Sequence, residues 1–183
     1  MEPTARTVAT VGRMRGRDAI TYLIEAKRLE QIAVEGSQKT GDEVLGQAER
    51  RLGTANAGID FGDVAGAFAV AYDAYRMAAE SLLLRQSLRP TSGEGSHVTV
   101  EDAVSAQFSD SIPEFAKPTF ERFRRKRHSA QYYDADTPPL TSEDAMWAIS
   151  LARAAVDGSR RIAETVALKP FSPDQGRSAR AAG

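Results

Sequence analysis

The sequence predicts an all-α protein. Stretches rich in helix formers alternate with Gly/Pro punctuation, runs of β-branched residues are nearly absent, and apolar residues recur at helical spacing. Both ends, up to about Met14 and from Pro173 to Gly183, are small, polar and rich in Gly and Ala. They read as loose tails around one helical domain, with residues 1–14 as flexible N-terminus, 15–168 as the domain and 169–183 as C-terminal tail.

The first helix is expected over about Asp18–Val34, although its apolar residues Ile20, Leu23, Ile24, Leu29 and Ile32 do not fall on one stripe. The second, about Asp42–Ala57, is cleaner: Val44, Leu45, Ala48, Leu52 and Ala55 cluster on one side, with Glu49, Arg50 and Arg51 outside. The third, about Phe61–Gln86, carries Phe68, Tyr72, Tyr75, Ala79, Leu82 and Leu83 on one face and Val70, Ala74, Met77 and Leu84 on the other. A helix apolar on both sides is central, packed by neighbours all round. Pro90 and the Gly93–Gly95 loop follow it as stop signals.

A short helix is expected from Val100 to Phe108, with Thr99 as N-cap and Asp102 as its capping-box partner. The next runs from about Pro118 to Tyr133, with proline near the first turn, where its missing N–H costs least. Beyond Thr137-Pro138-Pro139, Thr141 caps a last helix over about Ser142–Ala167, whose inner face reads Ala145, Ala148, Ile149, Ala152, Val156 and Ala163. Gly158 inside it is a weak point, costing about 1 kcal/mol relative to alanine.

Composition narrows the function. The 183 residues are 42% hydrophobic and 27% charged, a globular balance, and the formal net charge of -1 confines any attraction to nucleic acid to a local patch. Without cysteine, disulfides, thiol catalysis and thiolate metal sites are excluded. With only His97 and His128 to offer imidazole, neither a metal site nor another cofactor is expected. No apolar run approaches the ~18 residues of a membrane span, and Met1–Met14 lacks a secretory core, so no membrane partner and a cytoplasmic location are expected.

The chemistry concentrates between Arg122 and Tyr133. Arg122, Arg124, Arg125, Lys126 and Arg127 make five of six consecutive residues basic, followed by His128, Tyr132, Tyr133 and Asp134. On a helical wheel Phe120, Phe123 and Ala130 share one side and Arg127 falls among them, whereas Arg122 and Arg125 point elsewhere. A guanidinium on the packed side needs partners, and its planar fork suits a phosphate. The plainer alternative pairs Arg127 with a carboxylate such as Asp73 or Glu80. Arg122, Arg124, Arg125, Lys126 and Arg76 are candidate contacts to RNA or a nucleotide. His128 and Tyr132 are four apart and share a face, where a histidine among cations favours the neutral form a general base requires. Asp73, Arg76 and Glu80 are the polar groups of the central helix best placed to face this segment, with Tyr133 and Asp134 as further polar support. His97, in GSHVTV, has two readings: a local hydrogen bond or packing contact, or a place in the site.

The order of AYDAYRMAAESLLLRQSLRPT, GSHVTVEDAVSAQF and RFRRKRHSAQYYD before a final amphipathic helix resembles the HEPN superfamily, in a branch common in actinobacteria, over about residues 42 to 168. The resemblance implies a bundle of four to five antiparallel helices, here with an extra N-terminal helix. It further implies a homodimer with a site where the subunits face each other, and metal-independent ribonuclease activity in a toxin or defence role. Its motif is an arginine followed by a polar residue and then a histidine five or six positions after the arginine. The histidine assists attack of the RNA 2′-OH, and the arginine steadies the phosphate. In this chain Arg127 as motif arginine puts His128 in the polar position and Tyr132 where the histidine belongs, and a tyrosine of pKa about 10 is a poor base. Arg122 as motif arginine puts His128 at a permitted spacing but starts from an exposed arginine. The RHSAQYYD text fits the first register better. The family's tyrosine two places beyond the histidine is replaced by Asp134.

Two functions follow. One is an RNA-cleaving toxin or defence effector acting through Arg127 with His128 or Tyr132. The other is a non-catalytic module that binds RNA, a nucleotide or a protein partner, such as a cognate antitoxin or a nucleotidyltransferase, through the same face. A helical dimer without a ligand is the bland third.

Overall fold

A computed structural model describes residues 14–93, 95–131, 136 and 138–173. Among them are six α-helices, one turn of 3-10 helix and two short strands: α1 (Gly16–Glu25), β1 (Leu29–Gln31), α2 (Ser37–Asp60), α3 (Val64–Arg85), β2 (Leu88–Pro90), α4 (Ser96–Phe108), the 3-10 turn (Pro113–Phe115), α5 (Lys117–Gln131) and α6 (Ser142–Thr165). The protein is an all-α bundle with a two-stranded antiparallel ribbon at its side. No helix among the described residues is long and apolar enough to cross a membrane.

The central place of α3 follows from its sequence. Phe68, Tyr72, Tyr75, Ala79, Leu82 and Leu83 are buried on one side and Ala74 and Met77 on the other, and α2, α4, α5 and α6 all pack against it. Asp63 caps its start, accepting from the Gly66 amide at 2.9 Å, so Phe61 is left in the α2–α3 turn, 92% exposed.

The helix expected over Asp18–Val34 is shorter. After burying Ala19, Ile20 and Leu23, α1 stops at Glu25, and Lys27 takes a left-handed conformation (φ 56°) that turns the chain into β1. The scattered apolar residues have this cause: Leu29 enters the core from a strand. Ser87 (φ 58°) does the same after α3, launching β2, where a plain helix stop was expected. The strands pair Leu29 with Pro90, Glu30 with Arg89 and Gln31 with Leu88. Three residues a side give little stability alone, and the ribbon holds because Leu29 and Leu88 are buried beneath it.

Helix α2 begins at Ser37, five residues before the expected start, after Gly36 in the left-handed region (φ 78°). Its inner face is Leu45, Ala48, Leu52 and Ala55, as the periodicity predicts. Gly41 sits where α2 crosses α3, and a Cβ there would lie 2.7 Å from Arg85 Cγ and 3.0 Å from the Ser81 carbonyl oxygen. Arg85 cannot easily yield, because it bonds to Gln38 and Asp42. Gly41→Ala is therefore expected to lower the unfolding free energy by about 1–2 kcal/mol, since overpacking outweighs the better helix propensity. A shift of the urea midpoint to lower concentration checks this.

Thr99 does not cap α4. The helix starts three residues before it, at Ser96, Thr99 lies inside the first turns with its hydroxyl on the Gly95 carbonyl at 3.2 Å, and Asp102 is spent elsewhere. The Asp102 side chain is fully buried and accepts from Arg28 Nη2 and Lys117 Nζ, each at 2.7 Å, tying the α1–β1 turn and the start of α5 to α4. A buried carboxylate had to find cations, and that need overrides capping.

Thr141 caps α6 as expected, and Asp144 completes a capping box with it. Gly158 is less a weak point than a close approach, for a Cβ there would come 3.0 Å from Ile112 Cγ2 in the core. The expected domain end at 168 falls short of the packed chain. Phe171 is buried, its amide donates to the Gln86 carbonyl at 2.8 Å, its carbonyl accepts from Gln31 Nε2 at 2.7 Å, and the Arg17 guanidinium lies 4.8 Å from its ring centroid.

Candidate functional site

Aromatic packing sets the rotation of α5. Phe120 lies 4.7 Å from the Tyr75 ring, and Phe123 meets Phe68 and Tyr72 edge to face, each at 5.2 Å, with Trp147 of α6 on its further side at 5.2 Å. One turn after Phe123, Arg127 must then face α3. Its guanidinium carbon is 5.0 Å from the Tyr72 ring centroid, a cation–π contact, and its side chain keeps only 26% of its exposure. The inward orientation expected from the wheel is the one observed.

The expected carboxylate partner is also present, at a loose distance. Arg127 Nη2 is 3.8 Å from Asp73, and the same carboxylate is approached by Arg51 at 3.6 Å. Arg76 and Glu80 pair one turn apart on α3, and Arg124 Nε reaches the buried Glu101 of α4 at 3.4 Å. Four guanidiniums, of Arg51, Arg76, Arg124 and Arg127, thus face three carboxylates. Burial pushes Glu80 up against the opposing pull of Arg76, and burial raises Glu101 to about 7 despite Arg124. The Glu101 shift weakens the negative side of the balance near neutral pH. The Nε atoms of Arg76 and Arg127 are buried without a hydrogen-bond partner. Unsatisfied charged donors at one locus are costly and call for an explanation.

The histidine beside Arg127's aromatic platform is His97. Its Nδ1 lies 3.1 Å from the Tyr72 hydroxyl, and the two rings run nearly parallel, 6.0 Å apart at 16°. His97 is half-buried in the first turn of α4, where the positive end of the helix dipole favours a neutral imidazole. Burial first, then the Arg76 and Arg127 guanidiniums, hold its pKa below the ordinary value, with Asp73 opposing and Arg124 adding. Burial raises Tyr72 although Arg127, Arg76 and Arg124 oppose it, so its hydroxyl stays protonated at neutral pH.

Of the residues singled out in the sequence, Arg127, Asp73, Arg76, Glu80 and Arg124 belong to this cluster. Arg122 and Lys126 turn to α6: the Arg122 guanidinium carbon lies 4.5 Å from the Trp147 centroid, and Lys126 pairs with Asp144, whose carboxyl is held below the usual range by that lysine. Arg125 and His128 are on the exposed side of α5. Tyr132, Tyr133 and Asp134 lie outside the described residues. The sequence points to an acid–base group on α5, His128 or Tyr132, whereas the histidine that joins this cluster is His97 of α4. Tyr72 was read only as core, although a core tyrosine with a hydroxyl to satisfy is itself a signal. Among the described residues no three His, Asp or Glu side chains group as metal ligands. Against known proteins, the chain matches no family model, no curated protein and no solved structure.

Proposed function

We propose that the Arg127 face binds the phosphodiester backbone of RNA and supports its cleavage without a metal ion, in a HEPN-type protein acting as a toxin or defence effector. The single observation that carries the reading is the orientation of Arg127, held inward on the Tyr72 ring with an unsatisfied Nε and only a loose pairing to Asp73. A phosphate is an acceptor of the right charge and shape for such a fork. Arg76 and Arg124 strengthen the local field, while Arg125 on the outer side of α5 offers a further backbone contact. Stabilising charge as it grows on phosphorus-bound oxygens requires preorganised cations more than a metal. In keeping with the resemblance, two copies of the chain would bring two such faces together.

The test is incubation of the pure protein with total RNA in excess EDTA, wild type beside Arg127→Ala. Cleavage by the wild type and a loss of at least about 100-fold in the variant are expected. Overexpression should arrest growth, with relief by the same substitution. Intact RNA and normal growth would overturn the catalytic part.

A second reading is favoured by the Arg127–Asp73 contact, which leaves the guanidinium partly compensated before any ligand arrives. In that reading the face only binds RNA, a nucleotide, or a protein partner such as an antitoxin or nucleotidyltransferase. RNA binding that weakens with salt, with no cleavage at any protein concentration, distinguishes it. Salt-insensitive association points to the protein partner.

A further inference from the structure

We infer that His97 is the proton acceptor for the reaction at this face and that Tyr72 is the residue that positions it, an assignment that rests on the RNA-cleaving reading above. It moves the acid–base group from α5 to the start of α4, more than 20 residues before Arg127 in the chain, and makes Tyr72 the junction of the site. The Tyr72 ring carries Arg127, and its hydroxyl holds His97 at 3.1 Å. One aromatic side chain therefore fixes both the group that would hold phosphate and the group that would take a proton. Tyr72 is itself locked from behind by Phe123.

The geometry suits the role. The role requires the tautomer in which Nδ1–H donates to the Tyr72 oxygen, which leaves the imidazole lone pair on Nε2 as the acceptor for a substrate hydroxyl. The groups that face His97 come from two helices: Tyr72, Asp73 and Arg76 of α3, and Arg124 and Arg127 of α5. The three guanidiniums favour the uncharged ring and outweigh the single carboxylate of Asp73.

The step balances as a transesterification. Nε2 of His97 takes the proton of the 2′-OH, the 2′ oxygen bonds to the adjacent phosphorus, and the bond from phosphorus to the 5′ oxygen breaks. The leaving 5′ oxygen takes a proton from water, and the protonated imidazole later returns its own to solvent. The products are a 2′,3′-cyclic phosphate and a 5′-hydroxyl. Arg127 meets the charge that grows on the non-bridging oxygens.

The experiment uses a single-stranded oligoribonucleotide in EDTA, with cleavage and binding measured separately on the full chain. His97→Gln should lose about 100-fold or more in kcat/KM while its Kd for RNA stays within about threefold, and imidazole added to His97→Ala should restore turnover. Tyr72→Phe, which frees the ring, should lower kcat about tenfold and move the acidic limb of the pH profile. The wild-type profile should rise through a pKa below the ordinary histidine value, and Arg76→Gln should move that limb upward. An RNA with a single 2′-deoxy residue at the cleavage position should bind and remain intact. Cleavage by His97→Gln within threefold of an active wild type overturns the assignment and leaves the RNA-cleaving reading standing. A wild-type profile with no acidic limb below the ordinary histidine value also overturns it, independently of how the variants fold. A wild type that binds RNA and never cleaves it sinks both.

Discussion

Arg28→Ala is expected to destabilise the protein by about 3–5 kcal/mol. Asp102 has no exposed side-chain surface, and two cations, Arg28 and Lys117, hold its two oxygens at 2.7 Å. Removing Arg28 leaves a buried carboxylate with half its compensation and no access to water. The loss is larger than for a surface ion pair, where the median is about 0–1 kcal/mol. Lys117 is a quarter exposed and less able to make up the difference. Denaturant melts of Arg28→Ala and of Arg28→Ala/Asp102→Leu decide it. The double variant removes the stranded charge and should recover most of the stability, whereas equal losses in both would mean that the packing of the arginine stem, and not the charge, is what matters.

The second large effect is on pH dependence. Burial raises the Glu101 carboxyl from 4.5 to about 7 in the folded protein, with Arg124 pulling against it and Asp102 reinforcing it. Below pH 4.5 the group is protonated whether the chain is folded or not, and it adds nothing to the balance. Between 4.5 and 7 the unfolded chain releases the proton and the folded chain keeps it, so stability falls as pH rises. Above 7 the cost is fully paid, about 3 kcal/mol at ~1.4 kcal/mol per unit of pKa. Glu101→Gln is therefore expected to gain up to about 3 kcal/mol at pH 8.5 and almost nothing at pH 4.5. Urea unfolding at the two pH values measures it, and a variant whose advantage is the same at both would refute the buried-carboxylate explanation.

The all-α class and the central helix were legible because they depend on periodicity. Phe68, Tyr72, Tyr75 and Leu82 recur at helical spacing, and nothing tertiary is needed to see that α3 has neighbours on both sides. The ribbon was not legible. Leu29–Gln31 and Leu88–Pro90 are three residues each, with no alternation long enough to read, and they exist because each follows a helix ended by a left-handed residue. Thr99 and Asp102 mimic a capping box, and only the arrival of Arg28 and Lys117 from elsewhere in the chain shows why Asp102 is there.

The candidate site divides the same way. Arg127 could be placed by counting from Phe120 and Phe123, since all three share one helix. Its contact with Asp73 was a fair guess for the same reason, the central helix having few acidic groups. His97 could not be found by counting. It reaches Tyr72 across 25 positions of sequence, through a loop and a helix start whose placement depends on the whole bundle. His128, one residue beyond Arg127, drew attention by adjacency, but a single step along a helix is a rotation of about 100°, and it carries the side chain to the outer face.

The strap around Phe171 makes the architecture a closed circuit. Arg17 reaches both the Phe171 ring and the Ser172 carbonyl, while Gln31 and Gln86 grip the same short stretch from the ribbon side. Helix α1 and the stretch around Phe171 are clasped together. Peeling away α1 uncovers the strap, and lifting the strap loosens α1, so these two segments are expected to open together.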